Sequence, residues 1–167
     1  MESPVSKAGA SPRRGYGRFL VAPLLLLGLV GTLIFWFLAA TDMNLFMNRL
    51  NRYLTTGQGS LQQIIGTFAG NVATIFLMIF SLIGGVAALA SYVVGLHHLR
   101  VWTKYSSAAA QAAAWVGFFF LLLPFVMVWK EVQLGGHLGH KTKTVGAFAV
   151  IVTLVHFAYV LVLYVTV

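Results

Sequence analysis

Three ionisable residues that lie beside or within apolar runs are candidates for a functional role. Lys130 and Glu131 follow Trp129 at the end of one run, and His156 lies near the middle of another. A buried imidazole needs a hydrogen-bond partner, so His156 either serves a ligand or proton or bonds a neighbouring helix. Lys130 either anchors its helix end or meets an anionic ligand there. Adjacent helical residues point in different directions, so Lys130 and Glu131 should find separate partners.

Catalysis and metal binding are not expected. The chain has no cysteine, and the pairs His97–His98 and His137–His140 have too few acids and imidazoles nearby to complete a site of three or four ligands. Paired carboxylates, a nucleophile with its base, a Walker loop and a dinucleotide fingerprint are all missing from the sequence. We therefore predict no catalytic residue, no metal, no cofactor and no enzyme activity.

The amino-acid composition indicates which class of protein holds these residues in place. Only 8% of the 167 residues are charged and 59% are hydrophobic, whereas about 25% of residues are charged in a soluble domain. Eleven Lys and Arg against three Asp and Glu give a net charge of +8. A nucleic-acid binder concentrates such cations on a water-facing patch, and this chain has too little water-facing sequence to build one. The lipid bilayer is the expected partner, and nucleic acid is not.

Four apolar segments are long enough to cross a membrane as helices, since about 20 residues span its hydrocarbon core of roughly 30 Å. They cover residues 19–40, 72–95, 108–129 and 145–165. We therefore predict an all-α membrane protein, a four-transmembrane-helix bundle over residues 19–165. A basic, disordered cytoplasmic tail over residues 1–18 is expected to precede it.

The first loop has a helical pattern of its own. Between Asp42 and Leu54, apolar residues recur at helical spacing on one side, and asparagines and arginines lie on the other. This segment is either an amphipathic extension of the first span or a separate helix in the membrane interface.

The tail is expected to set the orientation. Lys7, Arg13, Arg14 and Arg18 precede the first span, and Lys and Arg beside a span stay on the cytoplasmic side. We therefore place both termini in the cytoplasm. The first apolar run of 22 residues is longer than that of a secretory signal, which favours a retained helix over cleavage after Ala40. An organelle transit peptide is a further alternative.

Small residues and one proline are expected to shape the packing. Gly84, Gly85, Ala88 and Ser91 recur along the second span, where small side chains let helix backbones approach closely in lipid. Pro124 lies late in the third span and removes one backbone hydrogen bond, so a kink is predicted there.

Several stretches follow one another in a recognisable order. They are APLLLL in the first span, NRYLTTGQ in the first loop, GNVATIFLMIFSLIGGVAALAS in the second span, HHLRVW and SSAAA around the second loop, and KEVQLGG after the third span. Together they resemble the AWPM-like family of abscisic-acid-induced plant plasma-membrane proteins over about residues 16–165. The chain departs from that pattern at Trp129, where the family usually has cysteine, and at HLGHKTKT, where it has an Arg-rich segment.

The resemblance implies a multi-pass plasma-membrane protein that is raised by abscisic acid, drought or cold and is linked to desiccation and freezing tolerance. Facilitated uptake of abscisic acid has been proposed for the family. That hormone is a weak carboxylic acid with an apolar body, so it would need an apolar pocket with one or two cationic or hydrogen-bonding groups. The candidates for these groups are Lys130, His156, Asn71 and Arg100.

Two alternatives remain open on the sequence. Asn71 could instead be the N-cap of the second helix. The whole protein could be a structural membrane protein that organises the bilayer or partner proteins during dehydration and transports nothing. Four helices make a thin pore wall, so a transporter of this length is expected to be a homo-oligomer.

Overall fold

The protein folds into four long α-helices. A computed structural model describes residues 13–56, 72–134 and 140–166, with side chains in 17–56, 72–134 and 142–166. The helices are α1 Arg13–Thr56, α2 Val72–Val101, α3 Lys104–Gln133 and α4 His140–Val165. All four are long and apolar enough to cross a membrane. The prediction of an all-α membrane protein with four transmembrane helices is confirmed.

Helix α1 is much longer than the predicted span of residues 19–40. It begins at Arg13, so residues 13–18 of the predicted tail are helical. It then continues through the first loop to Thr56, and its 44 residues correspond to about 66 Å at the rise of an α-helix. The rest of the predicted tail, residues 1–12, lies outside the described residues.

Packing explains why the first-loop segment is an extension of α1. Phe46 of α1 and Met78 of α2 are buried together, with Met43, Leu50 and Ile75 packed around them. The apolar side of the extension thus continues the contact between α1 and α2. Of the two arrangements that the sequence allows, the structure contains the continuous helix.

The helices form a ring of four in which each packs against its neighbours in sequence. Helix α1 also packs against α4, while α2 and α4 touch little across the diagonal. Near the start of α4, Thr142 donates to Asp42 in the second half of α1, and Thr166, directly after α4, lies against Gly17. These contacts at opposite ends make α1 and α4 antiparallel.

Only Trp102 and Thr103 connect α2 to α3. The Trp102 backbone N–H donates to the carbonyl of His98 at 2.7 Å, and its φ of 49° lies in the left-handed region, which is strained for a bulky residue. Thr103 is the N-cap of α3, because its extended backbone lets its hydroxyl accept from the Ser106 N–H. This short turn makes α2 and α3 antiparallel.

The small residues of α2 lie at its contacts with neighbouring helices. Gly84, Gly85, Ala88 and Ser91 are all buried. A Cβ on Gly84 would lie 2.8 Å from the backbone oxygen of Phe120 in α3, and one on Gly85 would lie 2.9 Å from Trp36 in α1. The two glycines therefore serve two different helix contacts.

Pro124 is buried within α3, and the helix continues through it to Gln133. Proline has no N–H, so the carbonyl four residues earlier, that of Phe120, loses its usual helical donor. This is the carbonyl that faces Gly84. The kink itself stays a prediction.

Candidate functional site

His156 lies at the centre of the bundle, where all four helices meet. Its side chain is fully buried. Nδ1 lies 2.9 Å from the Tyr92 hydroxyl of α2, and Nε2 lies 3.0 Å from the Ala114 carbonyl of α3. A carbonyl can only accept, so Nε2 carries the hydrogen and Nδ1 of the neutral ring accepts from Tyr92. Both nitrogens therefore join α4 to other helices.

Two tyrosines complete an aromatic cluster around this imidazole. The ring centroids of Tyr92 and Tyr159 lie 5.0 and 5.8 Å from that of His156 and 5.3 Å from each other. Both tyrosines are fully buried. Such edge-on and tilted contacts are favourable aromatic geometries.

Glycines on three helices make room for the cluster. A Cβ on Gly28 of α1 would overlap the Tyr92 hydroxyl, and one on Gly95 of α2 would overlap that of Tyr159. Gly117 of α3 lies against the His156 ring and the Ser91 hydroxyl. The centre of the four-helix bundle is thus filled by side chains that form hydrogen bonds and pack against one another.

A second polar site lies at the end of the bundle where α3 ends and α2 and α4 begin. Glu131 is only 1% exposed, and its Oε1 accepts a hydrogen bond of 3.0 Å from the Thr74 hydroxyl of α2. Hydrogen bonding is what makes the burial of a carboxylate tolerable. Glu131 therefore points into the helix interface, while its neighbour Lys130 is exposed.

Glu131 lines a groove of about 190 Å³ between α2, α3 and α4. The other lining residues are mostly apolar, and one is a cation: Leu77, Val128, Val132, Lys143, Gly146, Ala147 and Val150. Lys143 is exposed and reaches the groove from the first turns of α4. We refer to this feature as the Lys143 groove.

An acid–threonine bond joins α1 to α4 at the same end. The Thr142 hydroxyl donates to Oδ2 of Asp42 at 2.8 Å. Asp42 and Glu131 are the two acidic residues among the described side chains. Each accepts from a threonine on a neighbouring helix, so both acids contribute to helix packing at this end.

The four ligand candidates named from the sequence do not come together. His156 lies in the core, and Lys130 is exposed beside the Lys143 groove without lining it. Arg100 is exposed at the opposite end, in the last turn of α2. Asn71 lies outside the described residues, and so does its proposed role as an N-cap.

Sequence reasoning did not single out Thr74 and Lys143 as site residues. Adjacent residues on a helix point about 100° apart, so the sequence indicated that Lys130 and Glu131 would have different surroundings. It did not indicate which of the two would be buried. The partner of Glu131 depends on the register between α2 and α3, which the sequence alone does not give.

Comparisons with known proteins identify the chain's relatives. It matches the AWPM-19-like family over residues 26–166. It is 32% identical over 150 residues to Membrane protein PM19L of Oryza sativa subsp. japonica, an alignment that covers 90% of this chain and 80% of that protein. No solved structure matches. The match over most of its length and the similarity to the rice protein show that the chain belongs to the AWPM-19-like family of membrane proteins.

Proposed function

We propose that this protein is a plasma-membrane component of the abscisic acid, dehydration and cold response, with both termini in the cytoplasm. In this proposal it facilitates the uptake of abscisic acid or a related small weak acid. Membership of the AWPM-19-like family supports a membrane protein, and the physiological setting is what the resemblance to abscisic-acid-induced plasma-membrane proteins implies. The Lys143 groove is the observation that carries the proposed activity.

The chemistry of the groove suits such a ligand. Leu77, Val128 and Val150 offer an apolar wall, and Lys143 offers a cation beside it. A weak acid with an apolar body would lay that body on the wall and place its carboxylate near Lys143. Glu131 also lines the groove, but it is only 1% exposed and its Oε1 accepts the hydrogen bond from Thr74, so exposed Lys143 is the charged group that a ligand at the mouth would meet.

The size of the groove bears on how the ligand would move. Pockets for small molecules usually measure about 300 to 1,000 Å³, whereas this groove measures about 190 Å³. One chain would therefore enclose only part of the ligand, and we propose that a homo-oligomer completes the site. Since His156 and its aromatic neighbours fill the bundle centre, the ligand would not pass through the core of one chain, and the groove would be its binding site at one end of the bundle.

The second candidate is a structural membrane protein that organises the bilayer or partner proteins during dehydration. The filled centre of the bundle favours it, because the polar atoms of His156 are both bonded inside the protein. Large apolar side chains such as Phe37, Val86 and Leu154 are exposed on the outer face and would meet lipid. Nothing would be transported in this case.

Uptake of labelled abscisic acid into proteoliposomes separates the two candidates. The purified protein is reconstituted, and uptake is compared with that of empty liposomes of the same lipid at acidic and neutral pH. Faster uptake by the proteoliposomes is expected for a facilitator. If proteoliposomes and empty liposomes take up the acid equally fast at both pH values, the proposed activity is contradicted and the structural role is left.

A further inference from the structure

A cationic corner lies at the end of the bundle opposite the Lys143 groove. It is formed by Arg18 of α1, Arg100 of α2, Lys104 of α3 and Trp102 between the last two. The three cationic side chains are exposed. Arg100 and Lys104 each lie two residues from Trp102, and the Arg18 guanidinium lies 5.3 Å from the centre of the Trp102 ring. We call this feature the Arg18–Trp102 corner.

Several contacts hold Trp102 in this position. Its ring stacks on that of His98, with 4.7 Å between the ring centroids and 18° between the ring planes. The His98 Nδ1 in turn lies 2.9 Å from the Ser106 hydroxyl. Gly17 of α1 lies so close that a Cβ there would be 2.9 Å from the indole ring. The left-handed backbone at Trp102 is strained. The fold tolerates this strain and thereby places an aromatic ring beneath Arg18.

The positive charge of the corner has no nearby compensation among the described side chains. The two acidic residues of this set, Asp42 and Glu131, lie toward the other end of the bundle. Asp42 is 24 residues from Arg18 along α1, and Glu131 is 27 residues from Lys104 along α3, which corresponds to about 36 and 40 Å. These distances are several times the Debye length of about 8 Å in physiological salt. The corner therefore suits an anionic partner.

The surroundings indicate what kind of anion fits. Phe19, next to Arg18, is 79% exposed, and Val93 and Leu96 of α2 are also exposed on the membrane side of Arg100. Trp102 and the exposed Tyr105 are residue types that concentrate at the headgroup level of membranes. A partner with an anionic head and apolar tails matches this arrangement, whereas a free phosphate would use only the cations.

We propose that the Arg18–Trp102 corner binds the headgroup of an anionic phospholipid in the leaflet that it faces. The phosphate and the extra negative charge of the lipid pair with Arg18, Arg100 and Lys104, and the acyl chains lie along Phe19 and its exposed apolar neighbours. The proposal does not depend on the transport activity, since the corner and the Lys143 groove lie at opposite ends.

Native mass spectrometry of the full-length protein in detergent tests this site. Phosphatidylserine is compared with phosphatidylcholine of the same acyl chains, so that the tails are matched and the anionic head is compared with a zwitterionic one. Tighter binding of phosphatidylserine is expected, with a loss of about fivefold in affinity for each cation that is removed. Arg18→Gln, Arg100→Gln and Lys104→Gln are the test variants, and Arg18→Lys should retain most of the binding.

Arg52→Gln is the matched control, because Arg52 is also exposed but lies on the far extension of α1. It should bind phosphatidylserine as the unchanged protein does, and circular dichroism should show equal helix content in all variants. Excess inorganic phosphate should fail to displace the lipid. Equal binding of the two lipids, an equal loss in Arg52→Gln, or displacement by inorganic phosphate would each overturn the proposal.

Discussion

His156 connects three helices through its two ring nitrogens. Nδ1 faces the Tyr92 hydroxyl and Nε2 faces the Ala114 carbonyl, so the imidazole acts as an interhelical bridge with no side-chain surface exposed. Its need for a partner could be predicted from one histidine in an apolar run. The identity of Tyr92 could not, because it lies 64 positions away and the pairing depends on how α2 and α4 approach.

Replacement of His156 by leucine should destabilise the bundle. The change keeps an apolar side chain of similar size but removes both interhelical bonds, and bonds of this kind in membrane proteins contribute about 0.6 kcal/mol on average and up to about 1.7 kcal/mol. We therefore expect His156→Leu to lower the free energy of unfolding by about 1 to 3 kcal/mol. A titration with sodium dodecyl sulfate, in which circular dichroism monitors unfolding, measures this decrease in the free energy of unfolding.

Tyr92→Phe is the control for this prediction, because it removes only the bond to Nδ1 and should cost about half as much. A leucine variant with unchanged stability but reduced uptake of the labelled acid would contradict a bridging role. It would instead mean that the imidazole serves the ligand or a proton.

Among the elements, α1 shows that the thickness of the bilayer predicts the length of a span but not the length of the helix that contains it. Counting apolar residues predicts a span of about 22 residues, whereas the helix has 44, because a helix need not end where the hydrocarbon ends. The pattern between Asp42 and Leu54 did indicate a helix. Whether that helix is continuous with α1 depends on the packing of Phe46 against Met78, which links two distant parts of the chain.

The contact between α2 and α3 should be sensitive to a single methyl group at Gly84. A Cβ there would lie 2.8 Å from the Phe120 carbonyl oxygen, and a backbone atom cannot move aside as a flexible side chain can. We expect Gly84→Ala to cost about 1 to 3 kcal/mol of stability, as overpacking usually does. The same unfolding titration measures this loss.

Gly31 offers a matched comparison within a helix of the same bundle. A Cβ on Gly31 would lie 3.7 Å from Val152, which is ordinary van der Waals contact. Gly31→Ala should therefore be neutral or slightly stabilising, since alanine favours helix more than glycine does. Equal losses in the two variants would mean that close approach at Gly84 does not hold α2 against α3.

For the whole molecule, the ring of four helices separates three features along its length. The Arg18–Trp102 corner lies at one end, the His156 cluster lies in the centre, and Glu131, Asp42 and the Lys143 groove lie at the other end. The number of spans and the presence of a small-residue interface could be predicted from the sequence. The groove could not, because Leu77, Glu131 and Lys143 come from three helices and meet only through their register.

The proposed orientation predicts which end faces the cell interior. With the basic tail in the cytoplasm, an epitope tag placed before residue 13 should bind antibody only after the plasma membrane is permeabilised. A tag inserted between α1 and α2, at residues 57–71, is the control and should bind antibody in intact protoplasts. The reverse pattern would place the Lys143 groove on the cytoplasmic side and contradict the proposed orientation.

Proteoliposome uptake of labelled abscisic acid by Lys143→Gln and Lys130→Gln tests the proposed role of the Lys143 groove. Both lysines are exposed at the same end, but only Lys143 lines the groove. An exposed cation contributes about 1 kcal/mol or less to pairing with a carboxylate, so Lys143→Gln should reduce apparent affinity by up to about fivefold. Lys130→Gln should match the unchanged protein. Equal effects of the two substitutions, or uptake by the unchanged protein no faster than in empty liposomes, would contradict ligand binding in the groove.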